Sequence, residues 1–110
     1  MYVIIDGLGG AIGAVGPADT AFPHRAALGI MQIYVRTSPV QRATATRSVA
    51  SMRDQLTAVL GDGGYVNYID PGMPNWAQAY YGDNHTRLRQ VAQRHDPDRL
   101  FNFPQAITNA

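Results

Sequence analysis

Tyr65-Val66-Asn67-Tyr68-Ile69-Asp70 is the stretch on which the architecture turns. Tyrosine, valine and isoleucine favour extended backbone. Gly63-Gly64 before the stretch and Pro71-Gly72 after it bound a short element. The spacing predicts a strand. Side chains alternate along a strand, so Tyr65 and Asn67 would face one way and Tyr68 and Asp70 the other. Two phenols, an amide and a carboxylate so close together are costly as plain core, because each buried polar tip needs a partner. Tyrosines also line the half-wet faces of many sheets, so composition leaves both a functional site and an ordinary sheet surface open.

Upstream the period changes. Val49, Met52, Leu56, Val59 and Leu60 fall at helical spacing within residues 40–60, with Arg42, Arg47 and Arg53 outside the apolar stripe and Gly61 as the stop. Residues 28–36, with Ile30, Met31, Ile33, Tyr34 and Val35, read as a covered strand, and residues 2–5 as a short β-branched one. The glycine-rich run between Asp6 and Gly16 is no dinucleotide fingerprint, because Ile12 stands where the third glycine of G-x-G-x-x-G belongs. A tight turn and a short strand over residues 11–15 are expected there instead.

Downstream, residues 76–81 suggest a short helix. Leu88, Val91, Ala92 and His95 trace another, capped by Asp83 or Asn84 and stopped before Asp96-Pro97. Leu100, Phe101 and Phe103 form an apolar segment that must dock somewhere. The expected order is β-β-β-α-β-α-α. It makes residues 1–110 a single α+β domain: an antiparallel sheet of about four strands with helices packed on one face.

Composition excludes several classes. The chain has 110 residues, 45% hydrophobic and 15% charged, which is too apolar for a disordered tail and enough for one domain or part of one. A net charge of +1 offers no footprint for nucleic acid or an acidic membrane surface, and neither partner is expected. No apolar run approaches the roughly 20 residues that span a bilayer. With no basic region ahead of a leader-like run, the expected location is cytoplasmic. There is no cysteine, and His24, His85 and His95 do not pair at metal-ligand spacing, so no metal is expected. All nine basic residues are arginine and all eight acidic ones aspartate. A Schiff-base lysine is therefore excluded, and any general base is Asp, His or Tyr.

Beyond these patterns the chain resembles a known family. Tyr65-Val-Asn-Tyr-Ile-Asp70, Trp76, Tyr80-Tyr81-Gly82-Asp83-Asn84, Arg87-Leu88, Val91, Asp96-Pro97, Phe101 and Gln105-Ala106-Ile107 occur in the order, and at spacings compatible with, the closing segment of the berberine bridge enzyme-like FAD-linked oxidases. Upstream, Gly9-Gly10-Ala11-Ile12 and Thr20-Ala21-Phe22-Pro23-His24-Arg25 resemble the family's G-G and A-F-P-H-R segments.

The resemblance implies a flavin held between an FAD-binding domain and a substrate domain whose sheet lies over the isoalloxazine ring. By similarity Tyr68 takes the place of a catalytic tyrosine that deprotonates the substrate. Asn67 and Asn84 are then expected on the cofactor side, and Tyr65 and Gln32 on the substrate side. A tyrosine ionises near pH 10, so a base at neutral pH needs nearby donors or positive charge, for which Arg25 and Arg36 are the candidates. The chain carries no FAD-binding domain and no cysteine for covalent flavin attachment.

Two functions follow as expectations. One is the substrate-domain portion of a flavin-dependent oxidoreductase that acts on a small-molecule alcohol, sugar or natural product and needs FAD and a separate FAD-binding subunit. The other is a stand-alone, non-catalytic homodimer that covers the same surface with a second copy.

Overall fold

Val3, Ile4 and Ile5 are β-branched, and with Tyr2 they set the first strand, β1 (Tyr2–Gly7). It pairs antiparallel with β2 (Gly29–Tyr34), Tyr2 opposite Tyr34 and Gly7 opposite Gly29, with the two tyrosine rings 6.4 Å apart across the pair. This computed structural model describes residues 1–109. Helix α1 (Arg42–Leu60) follows a short 3-10 turn that starts on Pro39, and it ends where the Gly61 N–H reaches back to the Thr57 carbonyl at 3.0 Å. Two further helices, α2 (Trp76–Tyr81) and α3 (Asn84–His95), complete the regular structure apart from short 3-10 turns.

The α+β class holds, but among the described residues the sheet has two strands rather than about four. Residues 11–15 are not a strand: Gly10, at φ +64°, opens a 3-10 turn over Gly10–Ile12. Nor do residues 65–70 form one. Val66–Tyr68 is a 3-10 turn outside any sheet, closed by the Tyr68 N–H on the Tyr65 carbonyl at 2.9 Å. A strand needs a partner to satisfy its backbone. The backbone groups at both ends of this segment are bonded to α2 instead.

The core lies around α2. Ala79, Tyr80 and Tyr81 are buried, together with Gln105 and Ala106 from the C-terminal segment. Trp76, Tyr80, Tyr81 and His85 form a ring of tilted, stacked and edge-to-face contacts 6.2–6.5 Å apart. The start of α3 is tied to the N-terminal half by the Asn84 side chain, which donates to the Pro17 and Thr20 carbonyls at 2.7 and 3.1 Å. Asp83 occupies the N-cap position of α3 without a side-chain capping bond, so the expected cap is absent. His95 ends α3 as expected, and the Asp96 carboxylate receives the Leu100 and Phe101 N–H groups at 2.7 and 3.0 Å.

Around this core the molecule is thin. Its extents are 42 × 37 × 21 Å and its radius of gyration 15.5 Å, against about 13 Å for a compact domain of this length. Its accessible surface is 7860 Å², against about 6000 Å² expected for its mass. Every residue of β1 is exposed, and Val59, Leu60, Leu100 and Phe101 stand in solvent rather than docking. Those residues have no second layer to pack against.

Gly64 marks where the 65–70 segment crosses the core. A Cβ there would lie 2.7 Å from Cε1 of Tyr80, a ring 2% exposed and unable to move aside. Gly64→Ala is expected to destabilise the fold by about 1–3 kcal/mol, the usual scale of overpacking, read as a lower midpoint in denaturant with an unchanged slope.

Candidate functional site

Between β2, the inner face of α1, the 64–70 segment and the start of α3 lies an open groove of about 1520 Å³. Tyr65, Asn67, Tyr68, Gln32 and Asn84 all line it. The first three belong to one arch. Its ends are pinned to consecutive buried residues of α2: the Gly64 N–H donates to the Ala79 carbonyl at 2.9 Å, and the Asp70 N–H to the Tyr80 Oη at 2.9 Å.

The 3-10 turn decides how the arch presents its side chains. Three residues per turn bring positions i and i+3 to the same side, so Tyr65 and Tyr68 meet edge to face at 5.2 Å and 90°. A strand would have separated them. Asn67 Nδ2 donates to the Tyr65 Oη at 2.8 Å, which leaves the Tyr65 hydroxyl proton free to donate onward. Tyr68 is 43% exposed, and its hydroxyl has no hydrogen-bond partner among the described residues. Behind the pair, Phe22 abuts Tyr65 at 5.6 Å and His24 at 5.5 Å, both edge to face. The His24 Nε2 is buried without a partner.

Arg25 does not reach Tyr68. Its guanidinium lies 5.0 Å from the Phe22 ring centroid and donates to the Phe22 and Ile12 carbonyls and to Thr20 Oγ1. Arg25 therefore holds the aromatic backing in place rather than supplying charge to a phenolate. Arg36 is exposed at the end of β2 and is not among the groove-lining residues. Both Asn84 bonds to the 17–20 loop come from its Nδ2, so only its Oδ1 is open to the groove. Gln32 stands on β2 opposite Ile4 and lines the other wall.

The residue that sequence reasoning misplaced is Arg53. It was expected outside the apolar stripe, yet it turns inward: Nη1 donates to Asp70 Oδ2 at 2.7 Å and to the Gly72 carbonyl at 3.0 Å. The signal was present, since Arg53 lies four residues after Val49 and three before Leu56 and so falls on the same helical face. Asp54 takes the rest of the guanidinium, at 3.0 Å from Nε and 2.8 Å from Nη2. The hydrogen bonds from Arg53 to Asp70 and then Asp54 raise its pKa further above the usual arginine value. Gln105 Nε2 completes the support by donating to the Asp70 carbonyl at 2.9 Å.

The groove thus presents one aromatic wall with an open Tyr68 hydroxyl. The family model described as "Berberine and berberine like" matches residues 64–108. The chain is 42% identical over 103 residues to the uncharacterized FAD-linked oxidoreductase YgaK of Bacillus subtilis, covering 91% of this chain and 22% of that protein. It is 34% identical over 97 residues to the carbohydrate oxidase of Microdochium nivale, covering 82% and 20%. It is 31% identical over 116 aligned positions to the chitooligosaccharide oxidase of Gibberella zeae, covering 96% and 24%. No solved structure matches significantly. Residues 64–108 thus carry the berberine-like segment, and the chain's relatives are FAD-linked oxidoreductases of the berberine bridge enzyme family, of whose length it spans about a fifth.

The support beneath the arch has a pH limit. Burial pushes the Tyr80 phenol above its ordinary value, against the opposing hydrogen bond from the Asp70 backbone; burial and then the neighbouring Tyr80 do the same to Tyr81. The unfolded chain ionises these phenols near pH 10 while the folded one still holds their protons. Their contribution is therefore complete below pH 10 and is lost as pH rises through the raised folded values. Denaturant midpoints measured across the alkaline range are expected to fall above about pH 10, together with the rise of tyrosinate absorbance, and Tyr80→Phe is expected to flatten the fall.

Proposed function

We propose that this chain is the substrate side of an FAD-linked oxidoreductase that oxidises an alcohol group of a small molecule, with saccharides first among its substrates. We propose that it works with an FAD-binding domain supplied by a further stretch of the protein or by a separate subunit. The observation that carries the reading is the arch, which sets Tyr65, Asn67 and Tyr68 together at the mouth of one groove. The saccharide preference draws on the printed activities of two relatives, a carbohydrate oxidase and a chitooligosaccharide oxidase.

The residues fit one part of the cofactor. An aromatic wall with an open Tyr68 hydroxyl and an orphaned His24 Nε2 suits the edge of a planar conjugated ring. For a diphosphate the groove offers, among the described residues, one uncommitted arginine, Arg42 at its α1 wall: lysine is absent, and Arg53 is committed to Asp70 and Gly72. With a single arginine on this side, most of the phosphate contacts would come from the FAD-binding domain.

FAD, when bound, supplies a two-electron hydride acceptor. In this reading the Tyr68 Oη takes the proton of the substrate hydroxyl as the carbonyl forms, with the positive charge this requires supplied by something other than Arg25 and Arg36. The Tyr65 Oη, fixed by Asn67, donates to the substrate oxygen and orients it. Gln32 offers an amide from the β2 wall, and Asn84 presents its Oδ1 at the cofactor side. A second reading, a non-catalytic homodimer, draws on the bare β1 strand, an apolar edge that soluble proteins seldom leave uncovered.

Visible spectra separate the two. The purified chain is expected to retain no flavin when mixed with FAD alone and to retain it once an FAD-binding domain is added; a colourless dimer in both mixtures supports the second reading. In the assembled oxidase, Tyr68→Phe is expected to lower kcat by about 10²–10⁴ with the fold intact, the range of a general base, and unchanged turnover removes Tyr68 from the catalytic role.

A further inference from the structure

The arch that carries Tyr65 and Tyr68 is anchored on three sides, and the anchors differ in what they fix. Gly64 and Asp70 tie its two ends to Ala79 and Tyr80 of α2, and Gln105 ties it to the C-terminal segment. Those bonds hold the arch on the core. They say nothing about its distance from α1, which forms the opposite wall of the groove. Among the described residues, Arg53 is the one α1 side chain hydrogen-bonded to the arch or to the turn that follows it, through Asp70 Oδ2 at 2.7 Å and the Gly72 carbonyl at 3.0 Å.

The connection is built to be rigid. The carboxylate that Arg53 engages is held from its other oxygen by the Gly72 N–H at 2.8 Å, so guanidinium, carboxylate and Gly72 backbone close a small ring of bonds. Asp54 receives Nε and Nη2 and fixes the plane of the guanidinium from the outer side. The Arg53 side chain is 17% exposed and that of Asp70 30%, so water screens this pair less than it would an ion pair on an open helix face.

We infer that Arg53 is a positioning residue, which joins α1 to Asp70 and Gly72 and thereby sets where Tyr65 and Tyr68 stand relative to the α1 wall of the groove. What the tyrosines do there rests on the oxidoreductase reading; how they are held does not. The role needs arginine: one terminal nitrogen serves the arch and the others serve Asp54, a division that a single ammonium reproduces only in part.

The test reads the tyrosine pair directly, by NMR on the full 110-residue chain without flavin. In Arg53→Met, which keeps the apolar stem and removes the donors, the ring-to-ring cross-peaks between Tyr65 and Tyr68 and the ring-current shifts that accompany them are expected to be lost. Those among Trp76, Tyr80, Tyr81 and His85 are expected to stay. Arg53→Lys is expected to restore part of the Tyr65 and Tyr68 signals. Unchanged Tyr65 and Tyr68 cross-peaks in Arg53→Met overturn the inference. If Arg53→Met loses the α2 and α3 signals as well, Arg53→Lys decides: a shift confined to the arch supports the role, and an unaltered arch or a collapsed core overturns it.

In an oxidase assembled with its FAD-binding domain, the same displacement is expected to lower kcat on the order of a hundredfold while KM changes little. The ring contacts report on Arg53 whether or not that oxidase is active, so failure of the positioning role and failure of the oxidoreductase reading are told apart.

Discussion

Asp70 uses every polar atom it has. Its N–H reaches Tyr80, its carbonyl accepts Gln105 and Met73, and its two carboxylate oxygens take Arg53 and Gly72. A half-buried carboxylate is costly unless its hydration is replaced bond for bond, and here it is. Because those bonds come from α1, from α2 and from the C-terminal segment, one residue joins elements that otherwise touch little. The arch with Tyr65 and Tyr68 hangs between Gly64 and this node, so the geometry of the groove follows from it.

The remainder of the molecule is a thin slab with one real core. That core is aromatic and sits under α2, where Tyr80 and Tyr81 are buried and Trp76 and His85 pack around them. The sheet, by contrast, has two strands and bare apolar residues along β1. A layer this thin forms one side of a cleft. Its groove wall presents aromatic edges, a hydroxyl and amides. The chain spans about a fifth of the length of the FAD-linked oxidoreductases it matches.

Elements whose cause is local were readable in advance. Residues 42–60 form a helix because apolar side chains recur at its period and Gly61 stops it; α3 ends at His95 before Asp96-Pro97 for a similar reason. Strands are not local in that sense. Residues 65–70 have the composition of one, but a strand exists only beside another, and the backbone groups at both ends of this stretch were claimed by α2. The error changed the site: in a strand Tyr65 and Tyr68 would face apart, and in the turn they touch. The family resemblance was untouched by it, because it rested on which residues occur in which order and not on their backbone.

The amino-acid sequence by itself determined the chemistry available: arginine and aspartate as the only charges besides histidine, no thiol, and a tyrosine-asparagine-tyrosine run within a segment that resembles part of the FAD-linked oxidoreductases. It also determined the helices, whose signals lie within a few residues of one another. Tertiary structure alone decided that Arg53 points inward to Asp70, that Arg25 braces Phe22 instead of a phenolate, and that Asn84 spends its amide protons on the 17–20 loop. Each of these joins residues distant in the chain, and a side chain with several possible partners takes the one that folding leaves within bonding distance.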